Sequence, residues 1–370
     1  MHGGPPPAKT PLNAVHRELG AKMVDFSGWD MPLLYDGILS EHRAVREAVG
    51  LFDVSHMGRF HVRGMGAEAF LDRMVTNRIA GIPDGQAVYS ALCYENGGTV
   101  DDLIVYRAGA GDYFMVVNAS NAPKDFEWLA GHKPHGVDLE DISARTALIA
   151  VQGPRAPELV GRAGGGRVDD IGYYRFRRGQ IFGHDAVIAR LGYTGEDGYE
   201  LMVDAGAAEA VWRGLMKAGT DLQVHPAGLG ARDTLRFEAG LCLYGHELTA
   251  EISPLEAGIA FAVKLDKSFI GGDALRRQHE AGVPRRVVGI KMDGARIARQ
   301  GSAVVRDGKP IGEVTSGMFA PTLEGAYALA LVASGTVSAG DPVAVAIRDQ
   351  VFPARAMAKP FYKRERPGTK

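Results

Sequence analysis

At 370 residues the chain is too long for one compact core, so two or three domains are expected. Its 46% hydrophobic and 23% charged residues are ordinary for a globular protein, and a formal net charge of −2 carries no electrostatic footprint for nucleic acid. No apolar run approaches the roughly 18 residues of a membrane span. The opening MHGGPPPAKTPL has no apolar core like that of a signal peptide and reads as a flexible lead-in. Two cysteines, Cys93 and Cys242, lie far apart without metal-ligand spacing, which favours buried structural thiols in a reducing compartment, the cytosol by default.

In chain order, ILSEHRAVREAVGLF predicts a helix capped by Ser40, with Ala44, Val45, Ala48 and Val49 on one face. GRFHVRG sets Phe60 and Val62 against Arg59, His61 and Arg63, the alternation of a half-buried strand. GAEAFLDRMVTN places Phe70, Leu71, Met74 and Val75 on a helical stripe. In YENGGTVDDLIVYRAG, Leu103, Ile104, Val105 and Tyr106 read as a buried strand following a glycine turn. Alternation sends Asp101 and Asp102 to opposite faces. They can be turn residues ending a hairpin, or one of them can be an inward carboxylate, which is costly unless paired or used.

YFMVVNAS is a further buried strand, and Asn121 and Pro123 mark a helix start in NAPKDFEWLAG. This alternation suggests a compact α+β unit up to about residue 141, with GHKPHGVDLEDIS as its boundary. TALIAVQGP begins another strand. The loop AGGGRVDD, a strand-rich stretch with Tyr173, Tyr174 and Phe176, and a helix with Ala208, Val211, Trp212 and Leu215 on one face follow. From about residue 285, short strands separated by turns such as Arg306-Asp307-Gly308-Lys309 indicate a small β-barrel or sandwich.

Four stretches carry candidate chemistry. One is the aspartate pair, preceded by GQAVYS with Tyr89; another is GYTGEDGYE, which packs two tyrosines and three acids between glycines. PAGLGARDTLRFEAGLCLYGHEL lacks the third glycine of a dinucleotide fingerprint, since Asp233 stands where that residue is needed. It reads instead as a loop entering a helix, with Arg232, Arg236 and Glu238 as internal ion-pair partners. GEVTSGMFAPTLEGAYALA is mostly turn chemistry. His132-x-x-His135 sits in a proline-containing loop, and there is no zinc-binding HExxH, nucleophile elbow or phosphate-binding loop. Carboxylates, tyrosines and one or two arginines remain. Such a set suits a flat polar aromatic ligand: rings stack, carboxylates accept from ring N–H and amino groups, and arginine fixes a carboxylate by a forked hydrogen bond.

TPLNAVHRELGAKMVDFSGWDMPL, GLFDVSHMGRF, GGTVDDLIVY, GYTGEDGYE, GLGARDTLRFEAGLCLYGHEL, SPLEAGIAFAVKLDKSFIG, GEVTSGMFAPTL and KPFY occur in this order. Together they resemble the aminomethyltransferase, or T-protein, family of the glycine cleavage system, from about Thr10 to Tyr362. The resemblance implies an α+β fold of three β-rich domains in a cloverleaf around a central folate channel. The first, discontinuous, would span 9–56 and 142–250 and bind folate; the second, α+β, would span 57–141. Residues 251–370 would form a linker and a jelly-roll-like C-terminal β-barrel.

By the same resemblance, Asp102 corresponds to the essential catalytic carboxylate. Tyr89, Ile104 and Tyr106 match folate-pocket positions, and Tyr193 and Glu200 match the pterin-holding tyrosine and carboxylate. Arg232 matches a substrate-site arginine and Tyr362 a C-terminal site tyrosine. Leu241 stands where some members have a tyrosine, and Leu191 where many have threonine or cysteine; both departures bear on pocket detail.

The implied reaction passes the methylene of an aminomethyl group, carried on the dihydrolipoyl arm of H-protein, to tetrahydrofolate, releasing ammonia. Tetrahydrofolate would be co-substrate, with no metal or flavin, and the partners would be H-protein and the other glycine cleavage components, with no nucleic acid and no membrane. A demethylase acting on a small methylated compound through tetrahydrofolate would share the fold. A non-catalytic folate-binding protein that assists iron–sulfur assembly would carry a KGCYxGQE-like motif absent here, and a fused flavin oxidase would need more chain.

Overall fold

The computed structural model describes residues 6–164 and 166–364. Positions 1–5 of the expected lead-in and position 165 of the AGGGRVDD loop lie outside the described residues. The chain divides into two compact units. One comprises Met1–Glu68, Gly81–Val88 and Ile104–Asp233, and the other Ala69–Ala80, Tyr89–Leu103 and Thr234–Lys370. The divisions fall inside elements: the strands Gln86–Cys93 and Thr99–Gly109 and the helix Leu229–Glu238 each give residues to both.

The first unit is built on a mostly antiparallel sheet. From one edge, Val224–Pro226 pairs in parallel with Val49–Asp53, which is followed by Thr146–Gln152, Gly198–Asp204, His184–Arg190 and Arg175–Ile181. Residues 86–88 and 104–109 come next, then Asp112–Val117, Gly58–Arg63 and Asp138–Asp141. The helices Ala156–Ala163 and Ala208–Ala218 cover the sheet, and Val211, Trp212 and Leu215 enter a core with Leu51, Ile149, Val151 and Leu201. The face expected for the second helix is therefore the buried one.

Two local expectations need correction. The helix Ile38–Glu47 starts at Gly37, and Ser40 lies inside it, its hydroxyl donating to Gly37 O at 2.8 Å. The buried Glu41 instead fastens the segment leading into the helix, its carboxylate accepting from the N–H groups of Tyr35 (2.6 Å), Gly37 (3.3 Å) and Gly228 (2.8 Å). The strand Gly58–Arg63 forms, yet Arg59 is as buried as Phe60. Burial pulls its guanidinium down to about 10. A cage of acceptors holds it charged: Thr146 Oγ1 (2.9 Å), Ser55 O (2.7 Å), Thr146 O (3.0 Å), Met57 O and Ser143 O. Tyr173 and Tyr174 precede the strand that begins at Arg175 and pack edge to face.

In the second unit, residues 69–74 continue the helix Ala67–Met74, and Phe70, Leu71, Met74 and Val75 are buried as the stripe requires. The Lys267 ammonium caps its C-terminal end, donating to Val75 O (2.7 Å) and Asp72 O. Six strands close a barrel in the order Arg285–Met292, Gly325–Ala333, Lys309–Ala320, Ala303–Arg306, Pro342–Ile347 and Gln350–Met357. Its interior holds Ile290, Val304, Val314, Ala328 and Val345. The predicted turn is a two-residue hairpin with Asp307 at φ 49° and Gly308 at φ 74°, the pair of positive values a type I′ turn needs. Cys93 and Cys242 are buried, and burial pushes each thiol up to about 12. Among the described residues, no helix is long and apolar enough to cross a membrane.

Candidate functional site

The aspartate pair lies within the strand Thr99–Gly109, not in a turn. Alternation splits the pair as expected: Asp101 is fully buried and Asp102 is half-buried. The Tyr89 hydroxyl donates to Asp102 Oδ2 at 2.9 Å, joining two of the predicted site residues in the second unit. The Tyr89 ring stacks on Phe261 with centroids 5.9 Å apart and planes 24° from parallel.

Tyr362 belongs to the same unit, on the KPFY segment. Its N–H donates to Glu238 O at 2.7 Å, and Phe361 packs against Phe237 and Tyr327. The Glu238 carboxylate accepts from Thr322 N–H (2.8 Å). Arg236 pairs with Glu247 at 3.1 Å, both side chains at most 1% exposed, and donates to Leu241 O at 3.3 Å. The helix ends just past Glu238, so chain reversal brings Glu247 back to Arg236.

The first unit assembles a second group. The Arg232 guanidinium lies over the Tyr193 ring, 4.8 Å from its centroid. Burial pushes the Glu200 carboxyl upward while Arg232 draws it down; burial lowers Arg232 while Glu200 and Tyr193 raise it. The net direction is upward for the acid and downward for the base, so both charges sit in a water-poor environment that strengthens their mutual attraction. Burial, then Glu200, raises the Tyr106 hydroxyl well above its ordinary value. Glu200 and Tyr106 line a small apolar pocket with Phe114, Val116, Leu148 and Met202. Ile104 is half-buried and does not line this cavity.

GYTGEDGYE is fixed by the buried Gln152. The Thr194 hydroxyl donates to Gln152 Oε1 (2.9 Å), and Gln152 Nε2 donates to Leu191 O (3.1 Å). Arg46 reaches the same loop through a buried ion pair with Glu196 (2.9 Å) and a hydrogen bond to Thr194 O (2.7 Å). Gly198 is required here because a Cβ would stand 2.3 Å from Gln152 Nε2. Gly198→Ala is expected to lose about 1–3 kcal/mol in urea unfolding and to disturb Glu200 two residues on.

Sequence reasoning missed His56. It is buried, its ring meets Phe26 edge to face at 5.7 Å, and Nδ1 has no hydrogen-bond partner among the described residues. Burial lowers it to about 4, against the pull of Asp53, leaving a neutral imidazole at pH 7. A lone histidine after a strand carries no local signal of this kind.

Chemically, the first unit offers a buried carboxylate, a guanidinium and aromatic walls, a set that recognises a flat heterocycle with amino and ring N–H donors. The second offers a carboxylate oriented by a phenol, a group able to stabilise developing positive charge or relay a proton.

Residues 12–267 match the GCVT N-terminal domain family, and residues 285–363 match the Glycine cleavage T-protein C-terminal barrel domain. The chain is similar to an aminomethyltransferase of Moorella thermoacetica, 49% identical across 96% of this chain and 98% of the relative. An aminomethyltransferase of Geobacillus kaustophilus is 48% identical across 96% and 99%. The crystal structure of glycine cleavage system aminomethyltransferase T from Bartonella henselae superposes with a TM-score of 0.90 at 34% identity, covering 96% of this chain and 98% of that one.

Proposed function

Since this chain belongs to the aminomethyltransferase (T-protein) family of the glycine cleavage system and is a transferase, we propose that it transfers the methylene carbon of an aminomethyl group from the dihydrolipoyl arm of H-protein to tetrahydrofolate. In this reaction the carbon–sulfur bond breaks and the thiol regains a proton. Ammonia leaves with the other proton given up by the two folate nitrogens, and those nitrogens bridge the carbon in 5,10-methylene-tetrahydrofolate. The carbon keeps its oxidation level, so the chemistry calls for no redox group such as a flavin, and no metal is part of this proposal. H-protein and the other glycine cleavage components are the proposed partners, and the cytoplasm the proposed compartment. The three-domain division at 9–56 with 142–250, 57–141 and 251–370 is retained as a proposal for the functional segments.

The observation that carries this reading is the Asp102 carboxylate, half-buried and held by the Tyr89 hydroxyl at 2.9 Å. As carbon leaves sulfur, positive charge builds on the carbon and nitrogen. A fixed carboxylate in a poorly hydrated place stabilises that charge and accepts or returns a proton without reorganising. Tetrahydrofolate supplies the two nucleophilic nitrogens. The chain's own Glu200 suits the pterin's amino and ring N–H groups, and Tyr193 and Tyr106 give aromatic surface. Arg232, stacked on Tyr193, favours the charged form of Glu200 and so opposes the larger upward push of burial. Tyr89, Ile104 and Tyr362 are proposed as further folate contacts.

Reconstitution with aminomethyl-loaded H-protein and tetrahydrofolate tests the reading. Ammonia and methylene-tetrahydrofolate are expected in equal amounts, and neither when either substrate is omitted. Folate binding without this activity, joined to turnover of a small methylated donor, would move the assignment to a demethylase. Glu200→Gln removes a charged acceptor, so the tetrahydrofolate Kd should rise about tenfold or more in calorimetry. An unchanged Kd would remove Glu200 from the pterin site.

A further inference from the structure

Phe261 is 66% exposed, yet the backbone just after it is tied down. It occupies the middle of the short 3-10 turn Ala260–Ala262. The buried Thr76 hydroxyl donates to Ala262 O at 2.8 Å, and Lys264 N–H donates to Thr76 O at 2.9 Å. The same hydroxyl accepts from Ala91 N–H at 3.1 Å and lies 3.1 Å from the Ser90 hydroxyl. Asn77 continues the fastening: its N–H donates to Ser90 Oγ (2.8 Å), and its side-chain amide donates to Tyr89 O (2.9 Å). Thr76 and Asn77 therefore bind the residues adjoining both stacked rings, Tyr89 and Phe261, and set those rings face to face.

We propose that Phe261 is a positioning residue for the reaction: seated by Thr76, its ring fixes the Tyr89 ring, and the Tyr89 hydroxyl fixes the Asp102 carboxylate. This rests on the reading of Asp102 given above. The Tyr89 oxygen lies on the χ2 axis, so its position is set by χ1 and the backbone; a hydroxyl that must meet one carboxylate oxygen at 2.9 Å therefore needs its ring held against swinging about χ1. The Asn77 bond fixes the Tyr89 backbone but not its ring; the ring packs against the apolar cluster that includes Phe237, Cys242 and Leu248, and the stack with Phe261 adds to that restraint. Exposure explains why nothing else in the core requires an aromatic at position 261. Truncating it costs little apolar burial, so loss of folding does not mask the effect.

The test compares steady-state kinetics of the full-length enzyme with H-protein and tetrahydrofolate for five variants, with Thr76→Val as a sixth. These are Phe261→Ala, Phe261→Tyr, Tyr89→Phe, the double variant joining Phe261→Ala to Tyr89→Phe, and Asp102→Asn. Phe261→Ala is expected to lower kcat about tenfold, the scale of a slightly misplaced reacting group, with a smaller rise in KM for tetrahydrofolate, which Tyr89 also contacts in this reading, and a melting temperature within about 2 °C. Phe261→Tyr restores the rate. The double variant is no slower than Tyr89→Phe alone, because both changes break one chain of contacts. Additive losses, or a kcat for Phe261→Ala equal to wild type while Asp102→Asn is inactive, overturn the positioning role and leave Asp102 standing. A fully active Asp102→Asn overturns the reading of Asp102 and the proposal together. Thr76→Val, which keeps the shape but removes the hydroxyl, is expected to reproduce the kcat loss through the same chain, and a wild-type kcat in that variant overturns the seating by Thr76.

Discussion

Asp102→Asn is expected to lower turnover about 100- to 1,000-fold, the scale on which a single preorganised electrostatic group acts. Tetrahydrofolate binding should stay within about twofold. Asparagine has the size of aspartate, and its amide oxygen can still accept from the Tyr89 hydroxyl that now meets Asp102 Oδ2. What disappears is the negative charge and the basic oxygen. A loss concentrated in kcat therefore isolates the charge from the shape. Single-turnover ammonia release from loaded H-protein, beside calorimetric folate binding, separates the two. Near-wild-type release would remove Asp102 from the chemistry, and a lost Kd with intact kcat would make it a binding group instead.

The largest effect on stability is expected at Glu247. Its carboxylate holds Arg236 at 3.1 Å, accepts from Leu243 N–H at 3.0 Å and takes the Thr315 hydroxyl at 2.6 Å. Arg236 also reaches the Ser316 hydroxyl at 3.2 Å. Glu247→Ala strands a buried guanidinium and at least two donors, a class of change that costs about 3–5 kcal/mol. Arg236→Met should cost a similar amount by stranding the carboxylate. Replacing both by apolar residues of like volume should recover much of the loss, because the penalty comes from the unpaired charge more than from the missing pair. Urea unfolding of the two single variants and the double one measures this. A single-variant loss below about 1 kcal/mol would mean that water reaches the pair and screens it.

Much of the local structure is legible in the sequence because its causes are local. Phe70, Leu71, Met74 and Val75 recur at helical spacing and are buried together; Asp307-Gly308 allows positive φ and makes the hairpin turn. Arg59 departs from its expected exposure because alternation predicts which way a side chain points, not whether distant carbonyls wait to receive it. Those of Ser143 and Thr146 lie more than 80 positions further along the chain. Ser40 departs from its expected role for a related reason. A serine at a helix start is a common cap, but here the helix begins at Gly37, three residues earlier, where the buried Glu41 carboxylate holds the N–H groups of Tyr35 and Gly37.

The same distinction governs the functional residues. The ordered motifs by themselves determined the family, because each preserves residue types whose spacing survives without coordinates. The family resemblance they carry also proposes Asp102, Glu200 and Arg232 as site residues. Only the tertiary structure decided how those groups are held. It placed Asp101 rather than Asp102 in full burial, joined Tyr89 to Asp102, and set Arg232 over Tyr193. It also gave Arg236 to Glu247 and left His56 neutral, with Nδ1 unpartnered among the described residues. The physical reason is range: periodicity, capping and turn preference act over a few residues. Burial, hydrogen-bond partners and the dielectric around a charge are set by segments that meet only when the chain folds.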